Sequence, residues 1–260
     1  MPKCYTEWVK KRLVIGNWKM YVESQAEATN FAKTLRTRMR SIQNVEVGLA
    51  PSFILLPKVA EILKRTKIVV GAQAVSRYHA NAHTGDVSAA MLKDAGASFV
   101  IVGHSERRAM GESDEIIKKQ LSEVGEMKLR PVLCVGEKVR EESGEHFGVI
   151  KEQLRSALEG SSKKVFSKLV VAYEPVWAIG KQAADAMKPQ EVQESTIFIK
   201  KSLTELLGRE MASKIPVLYG GSVEESNAAA LLKEGGVNGF LVGHASASLE
   251  TFLPILKACK

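Results

Sequence analysis

The chain has 260 residues, of which 45% are hydrophobic, with 20 glycines and 8 prolines, the profile of a packed globular protein. That balance excludes collagen-like, low-complexity and disordered classes. Lysine and arginine number 37 against 29 acidic residues, and the net charge of +8 suits several kinds of anion: nucleic acid, lipid headgroups or phosphorylated metabolites.

Cys4, Cys134 and Cys259 are odd in number and far apart, so they form neither a disulfide framework nor a zinc ligand pair. A reducing, cytoplasmic compartment is expected. No apolar run approaches the ~18 residues of a membrane span, and Met1 to Arg12 lacks the apolar centre of a secretion signal. Residues 1–11, with Lys3, Lys10 and Lys11, read as a basic N-terminal extension ahead of the first strand.

In chain order, short β-branched apolar runs occur at Leu13–Ile15, Val45–Leu49, Ile68–Val70 and Phe99–Val102. The second half repeats the rhythm at Val132–Val135, Leu169–Ala172, Val217–Tyr219 and Phe240–Val242. Between them the period turns helical. Over Ser24–Met39, Ser24 and Glu27 make a capping box, and Ala28, Phe31, Ala32 and Leu35 share one face. Similar stretches span Ile54–Leu63, Glu115–Glu123, Gly148–Leu158, Glu191–Leu207 and Glu224–Leu232. Near-continuous apolar strands alternating with helices signal a parallel sheet covered by right-handed crossovers. Eight such units without a dividing linker predict an α/β fold, a single-domain (β/α)8 barrel over residues 12–260. Spacing alone leaves an open doubly wound sheet as the alternative.

A barrel of this kind assembles its active site at the carboxyl ends of its strands. After the first run stand Asn17, a neutral donor, and Lys19, either a cation for a phosphate or oxyanion or an ordinary surface lysine. After the fourth comes Gly103-His104-Ser105-Glu106-Arg107-Arg108, where His104 is either a general acid or electrophile or a structural histidine. Glu106 and the arginines read first as a scaffold of ion pairs. After the sixth comes Tyr173-Glu174-Pro175-Val176-Trp177-Ala178-Ile179-Gly180, where apolar neighbours can strip water from Glu174 and make it a proton acceptor near neutral pH. A plainly exposed carboxylate is the other reading. The stretch from there to Pro189 is long enough for a lid. The last two strand ends, Gly220-Gly221-Ser222 and Gly243-His244, place glycine amides where barrels often bind phosphate.

Taken together, Asn17-Trp18-Lys19, the His104 and Glu174 segments and Tyr219-Gly220-Gly221-Ser222-Val223 resemble the triosephosphate isomerase family from about Arg12 to the end. This family is itself the standard illustration of the TIM barrel, of its acid/base pair and of its lid. The resemblance implies an aldose-ketose isomerase that interconverts dihydroxyacetone phosphate and D-glyceraldehyde 3-phosphate through an enediol or enediolate, in glycolysis and gluconeogenesis. It implies Glu174 as base, His104 as neutral electrophile, Lys19 as electrostatic support and Asn17 as a further substrate contact, with Ser105 and Glu106 supporting. Gly180, Ser222, Gly243 and His244 fall on its phosphate-binding positions, and no metal or organic cofactor is implied.

Three departures accompany the match. Lys181-Gln182-Ala183 replaces the lid's usual Thr-Gly-Lys, with a slightly longer approach to Pro189, so altered lid kinetics are expected. His244 stands where the family usually has glycine, and its ring is either an added phosphate donor or an outward loop side chain. The Gln73–Asp86 segment resembles the family's dimer loop, with Asp86 in place of the usual Glu, and implies a homodimer; a plain surface loop is the alternative. The competing functions are another sugar-phosphate barrel enzyme and a non-catalytic barrel relative with an altered lid. Neither nucleic-acid nor membrane partners are expected, and Cys134 reads as core packing.

Overall fold

The β-branched runs become strands in a computed structural model that describes residues 12–141, 143–180 and 186–260. Among these residues the strands are β1 (Arg12–Asn17), β2 (Val45–Ala50), β3 (Ile68–Ala72), β4 (Phe99–Val102), β5 (Arg130–Val135), β6 (Val170–Tyr173), β7 (Val217–Tyr219) and β8 (Gly239–Val242). Each pairs in parallel with the next, and β8 returns to β1 with Leu13 opposite Gly239. The sheet is therefore a closed barrel with no free edge, which removes the open-sheet alternative.

The crossovers carry α1 (Gln25–Arg38), α2 (Leu56–Leu63), α3 (Ala89–Asp94), α4 (Ser105–Ala109), α5 (Asp114–Glu126) and α6 (His146–Leu158). Then follow α7 (Lys163–Phe166), α8 (Pro189–Leu207), α9 (Arg209–Lys214), α10 (Glu225–Glu234) and α11 (Leu249–Ala258). At α1, Ser24 Oγ accepts from the Glu27 N–H at 3.1 Å, as a capping residue should. The expected reciprocal bond is shifted by one residue, because the Glu27 carboxylate accepts from the Glu23 N–H at 3.3 Å rather than from Ser24. Pro189 opens α8, where its missing N–H costs nothing, and Glu191 Oε2 accepts from the Lys188 N–H at 2.8 Å.

Alternate strand residues divide two cores. Leu13, Ile15, Phe99, Ile101, Val132, Cys134, Val170, Ala172, Leu218 and Leu241 fill the barrel. Their neighbours, such as Val14, Val100, Leu133, Val171 and Phe240, pack outward with Phe31, Leu35, Leu121, Leu154 and Ile199 of the helices. Both strand faces are thus buried, the physical reason the strands read as unbroken apolar runs. Inside, Phe99 lies against the Gly71 backbone: a Cβ there would sit 2.5 Å from the ring, so the glycine makes room for the aromatic. The 1–11 extension and the Lys181-Gln182-Ala183 segment fall outside the described residues.

Candidate active site

The barrel brings the predicted residues together. Asn17, Lys19, His104, Glu174, Gly180, Ser222, Gly243 and His244 line one cavity of about 880 Å³ at the carboxyl ends of the strands. Ser105 and Glu106 stand behind it as supports.

Glu174 follows directly from β6 and is pinned by the strands on either side. Its N–H donates to Val135 O at 2.8 Å, and the Gly220 N–H donates to Tyr173 O at 2.8 Å. A Cβ on Gly136 would lie 1.9 Å from the Glu174 carbonyl oxygen, and one on Gly220 would lie 2.9 Å from Glu174 Cγ. Two glycines therefore set the close quarters of this residue. Only 3% of Glu174 is exposed, and two donors compensate the burial of its charge. The Ser105 N–H donates to Oε2 at 3.0 Å, and His104 Nε2 lies 3.1 Å from Oε1.

The state of His104 follows from its other nitrogen. Nδ1 accepts from the Glu106 N–H at 3.1 Å, and a backbone amide can only donate. The ring is therefore neutral, with its single proton on Nε2 pointing at Glu174. That proton cannot serve Glu174 and a substrate oxygen at once, so a bound carbonyl must take His104 from the carboxylate and free Oε1. Below the pair sits the Cys134 thiol. Burial first, and then the nearby Glu174 charge, push its pKa well above the usual thiol range, so it is protonated packing, as the sequence suggests.

Lys19 is held in an unusual backbone conformation, with φ of 47°. Asn17 Oδ1 accepts from the Lys19 N–H at 3.2 Å, while Gln73 Nε2 donates to both Lys19 O and Ala50 O at 2.9 Å. These bonds hold the strained turn and direct the side chain into the cavity. Lys19 Nζ donates to Glu106 Oε1 at 2.6 Å, so Glu106 positions the cation. The neighbouring arginines are scaffold: Arg107 pairs with Glu112 and Arg108 with Asp114, at 2.7 and 2.6 Å.

The opposite wall is the segment that follows Glu174. Ser222 Oγ donates to Ala178 O at 3.0 Å, so its hydroxyl holds the short turn at Val176–Ala178. Trp177 Nε1 and the Tyr173 hydroxyl both donate to Glu137 Oε1, at 2.8 and 2.9 Å. Burial, followed by the charge of Glu137, raises the pKa of the Tyr173 hydroxyl and keeps it a donor. Gly180, with φ of 75°, carries the chain through a turn that favours glycine.

The family model described as triosephosphate isomerase matches residues 12–259, essentially every described element. The chain belongs to the triosephosphate isomerase family. The triosephosphate isomerase of Thermus thermophilus is 41% identical over 251 residues, covering 96% of this chain and 99% of its own length. Those of Carboxydothermus hydrogenoformans and Protochlamydia amoebophila are similar at 39% and 40% identity, over 96% and 94% of this chain and 99% and 92% of theirs.

This triosephosphate isomerase family member uses residues that sequence reasoning passed over. Gln73, which the sequence marks only as the start of a loop, follows β3 directly after an apolar run, the same strand-end position that marks Lys19. Glu137, two residues past β5, follows the same rule. Tyr21 gave no signal, because its part depends on His244 from the far end of the chain: their ring centroids are 5.0 Å apart, edge to face. Among the described residues, no group of three or more His, Cys, Asp or Glu is placed to hold a metal ion, and no helix is long and apolar enough to cross a membrane.

Proposed function

We infer that this enzyme interconverts dihydroxyacetone phosphate and D-glyceraldehyde 3-phosphate, with Glu174 as base and neutral His104 as electrophile. The observation that carries this reading is the buried contact at 3.1 Å between Glu174 Oε1 and the Nε2 of a ring whose Nδ1 is already an acceptor. Glu174 takes the proton from the carbon beside the substrate carbonyl, and that bond pair becomes the carbon–carbon double bond of an enediolate. The carbonyl oxygen receives the displaced charge, which the His104 Nε2–H and the Lys19 ammonium stabilise as it develops. After a proton moves between the two oxygens, Glu174 returns its proton to the neighbouring carbon. Both transfers are redox-neutral within the substrate. This pairing argues against a non-catalytic barrel relative, and the absence of a lysine from the end of β6 argues against a Schiff-base aldolase.

The phosphate is assigned to the amides of Gly180, Ser222, Gly243 and His244, with Lys19 facing it and Asn17 completing the substrate contacts. A homodimer through the Gln73–Asp86 loop is supported by the loop's internal order, in which Ser76 Oγ donates to Asp86 at 2.7 Å and Tyr78 stacks on His83. Large apolar side chains, Met20, Ile54 and Met110, are 75% to 85% exposed beyond β1, β2 and β4, a surface suited to a second copy. A fully active monomer in sedimentation would overturn that assignment. Free, buried Cys134 and Cys259 support a cytoplasmic setting, and the chemistry fits glycolysis and gluconeogenesis.

The test is a coupled assay with glyceraldehyde 3-phosphate. Wild type should be active, and Glu174→Gln should lose at least about 10²-fold in kcat. Inactive wild type, or a fully active variant, would overturn the mechanism.

A further inference from the structure

Where the proposed phosphate end of the cavity meets solvent, His244 and Tyr21 face each other, although they lie on loops after β8 and β1. Their rings are edge to face at 5.0 Å between centroids. Both line the same cavity as Lys19, Gly243 and Ser222. Histidine is the side chain whose ordinary pKa, ~6.5, places its charge change in the working range of most enzymes. The edge-to-face contact with Tyr21 packs the imidazole against the loop after β1 and fixes its place at the mouth of the cavity.

We propose that His244, braced by Tyr21, is a titratable cation of the anion-binding end, so that affinity for a tetrahedral dianion rises as His244 takes up a proton. The inference rests on the phosphate placement above and adds a specificity-determining side chain at a residue for which that placement uses only the backbone amide. The other charges lining this cavity are Lys19, which opposes protonation of His244, the rim carboxylates Glu224, Glu225 and Glu250, which favour it, and deeper His104 and Glu174. Lys19 is already paired with Glu106 at 2.6 Å, so its opposition is partly neutralised. A bound dianion and a protonated ring stabilise each other, and linkage makes the effect reciprocal: protonation tightens the anion, and the anion raises the ring's pKa by the same factor.

Sulfate separates this effect from titration of a phosphate ligand, because it stays a dianion across the relevant range. Its affinity is measured by calorimetry near pH 5.5 and pH 8.5 on wild type, His244→Gln and Tyr21→Ala, and the His244 titration is followed by NMR with and without sulfate. Wild type should bind about three- to tenfold more tightly at the lower pH than His244→Gln does relative to its own value at the higher pH. The His244 titration midpoint should rise by about half to one pH unit with sulfate, and Tyr21→Ala, which removes the packing that places the ring, should reduce that rise. Equal pH dependence in wild type and His244→Gln, or a His244 midpoint unmoved by saturating sulfate, would overturn the proposal. Neither readout requires turnover. A chain that binds sulfate in this way but does not isomerise triose phosphates would refute the function above and leave this inference standing.

Discussion

Gly220→Ala tests how tightly the position of the Glu174 carboxylate, the proposed base, is set. The new Cβ would stand 2.9 Å from Glu174 Cγ, whereas ordinary contact begins near 3.4 Å, so the side chain must retreat by at least about 0.5 Å. Gly220 is absent from the positive-φ positions, so alanine adds this contact without backbone strain. A misplacement of about 1 Å at a reacting group costs roughly 10²-fold, so half of that predicts about a tenfold loss of kcat, near 1.4 kcal/mol. Tilting of the carboxylate away from His104 carries the upper bound to about a hundredfold. Overpacking should cost about 1–3 kcal/mol of stability, leaving the enzyme folded at room temperature. The assay is the coupled reaction under saturating substrate, with circular dichroism and a urea midpoint to show folding. Gly148→Ala is the control, because its Cβ meets nothing within 4 Å and it lies within α6. That change should leave kcat unaltered and add about 0.5–1 kcal/mol. Folded Gly220→Ala with wild-type kcat would refute the claim that this contact places Glu174.

At Lys19, the variants Lys19→Ala and Lys19→Gly both remove the ammonium and should lose activity equally, but glycine relieves the φ of 47°. Lys19→Gly should then be more stable than Lys19→Ala by about 1 kcal/mol in urea unfolding, and equal stability would refute strain at that turn. Trp177→Phe removes the donor to Glu137 at 2.8 Å, a charge-assisted bond worth about 1.5 kcal/mol or more. Urea unfolding should show a loss of about that size, while an unchanged midpoint would show that this bond does not hold the segment after Glu174. Alkaline stability should fall steeply, because burial holds the Cys134, Tyr173 and Tyr219 protons above their ordinary range and pushes Cys259 up to about 12. The folded state keeps protons that the unfolded chain loses, so this stability is complete below about pH 8 and declines through the folded pKa values. Each group contributes a slope of up to about 1.4 kcal/mol per pH unit, and urea midpoints that stay level between pH 8 and pH 11 would contradict it.

The strands were legible because burial on both faces leaves them without a polar register, and apolar runs as short as Val217–Tyr219 still stand out against their surroundings. The long helices were legible through one buried stripe, as in Ala28, Phe31, Ala32 and Leu35 of α1. Short α3, α7 and α9 were not, since four to six residues complete too few turns to show a period. The terminal α11 carries Pro254 in its interior, which argues locally against a helix that its buried Phe252, Ile255 and Leu256 nonetheless secure. At the site, Lys19, His104 and Glu174 could be found one strand end at a time. Their protonation and their supports could not, because these depend on contacts between distant segments, such as Ser105 to Glu174 and Gln73 to Lys19.

The fixing of Glu174 between Gly136 and Gly220 has an evolutionary consequence. Every single-step replacement at either glycine adds a carbon into the space of Glu174, so inheritance has almost no freedom there. Gly180 is constrained in another way: its φ of 75° favours glycine, although no described atom would meet a Cβ there within 4 Å. Glycine is thus kept at two positions by the space that Glu174 occupies and at a third by backbone angle, so the third alone leaves room for asparagine or aspartate, the side chains that tolerate a positive φ.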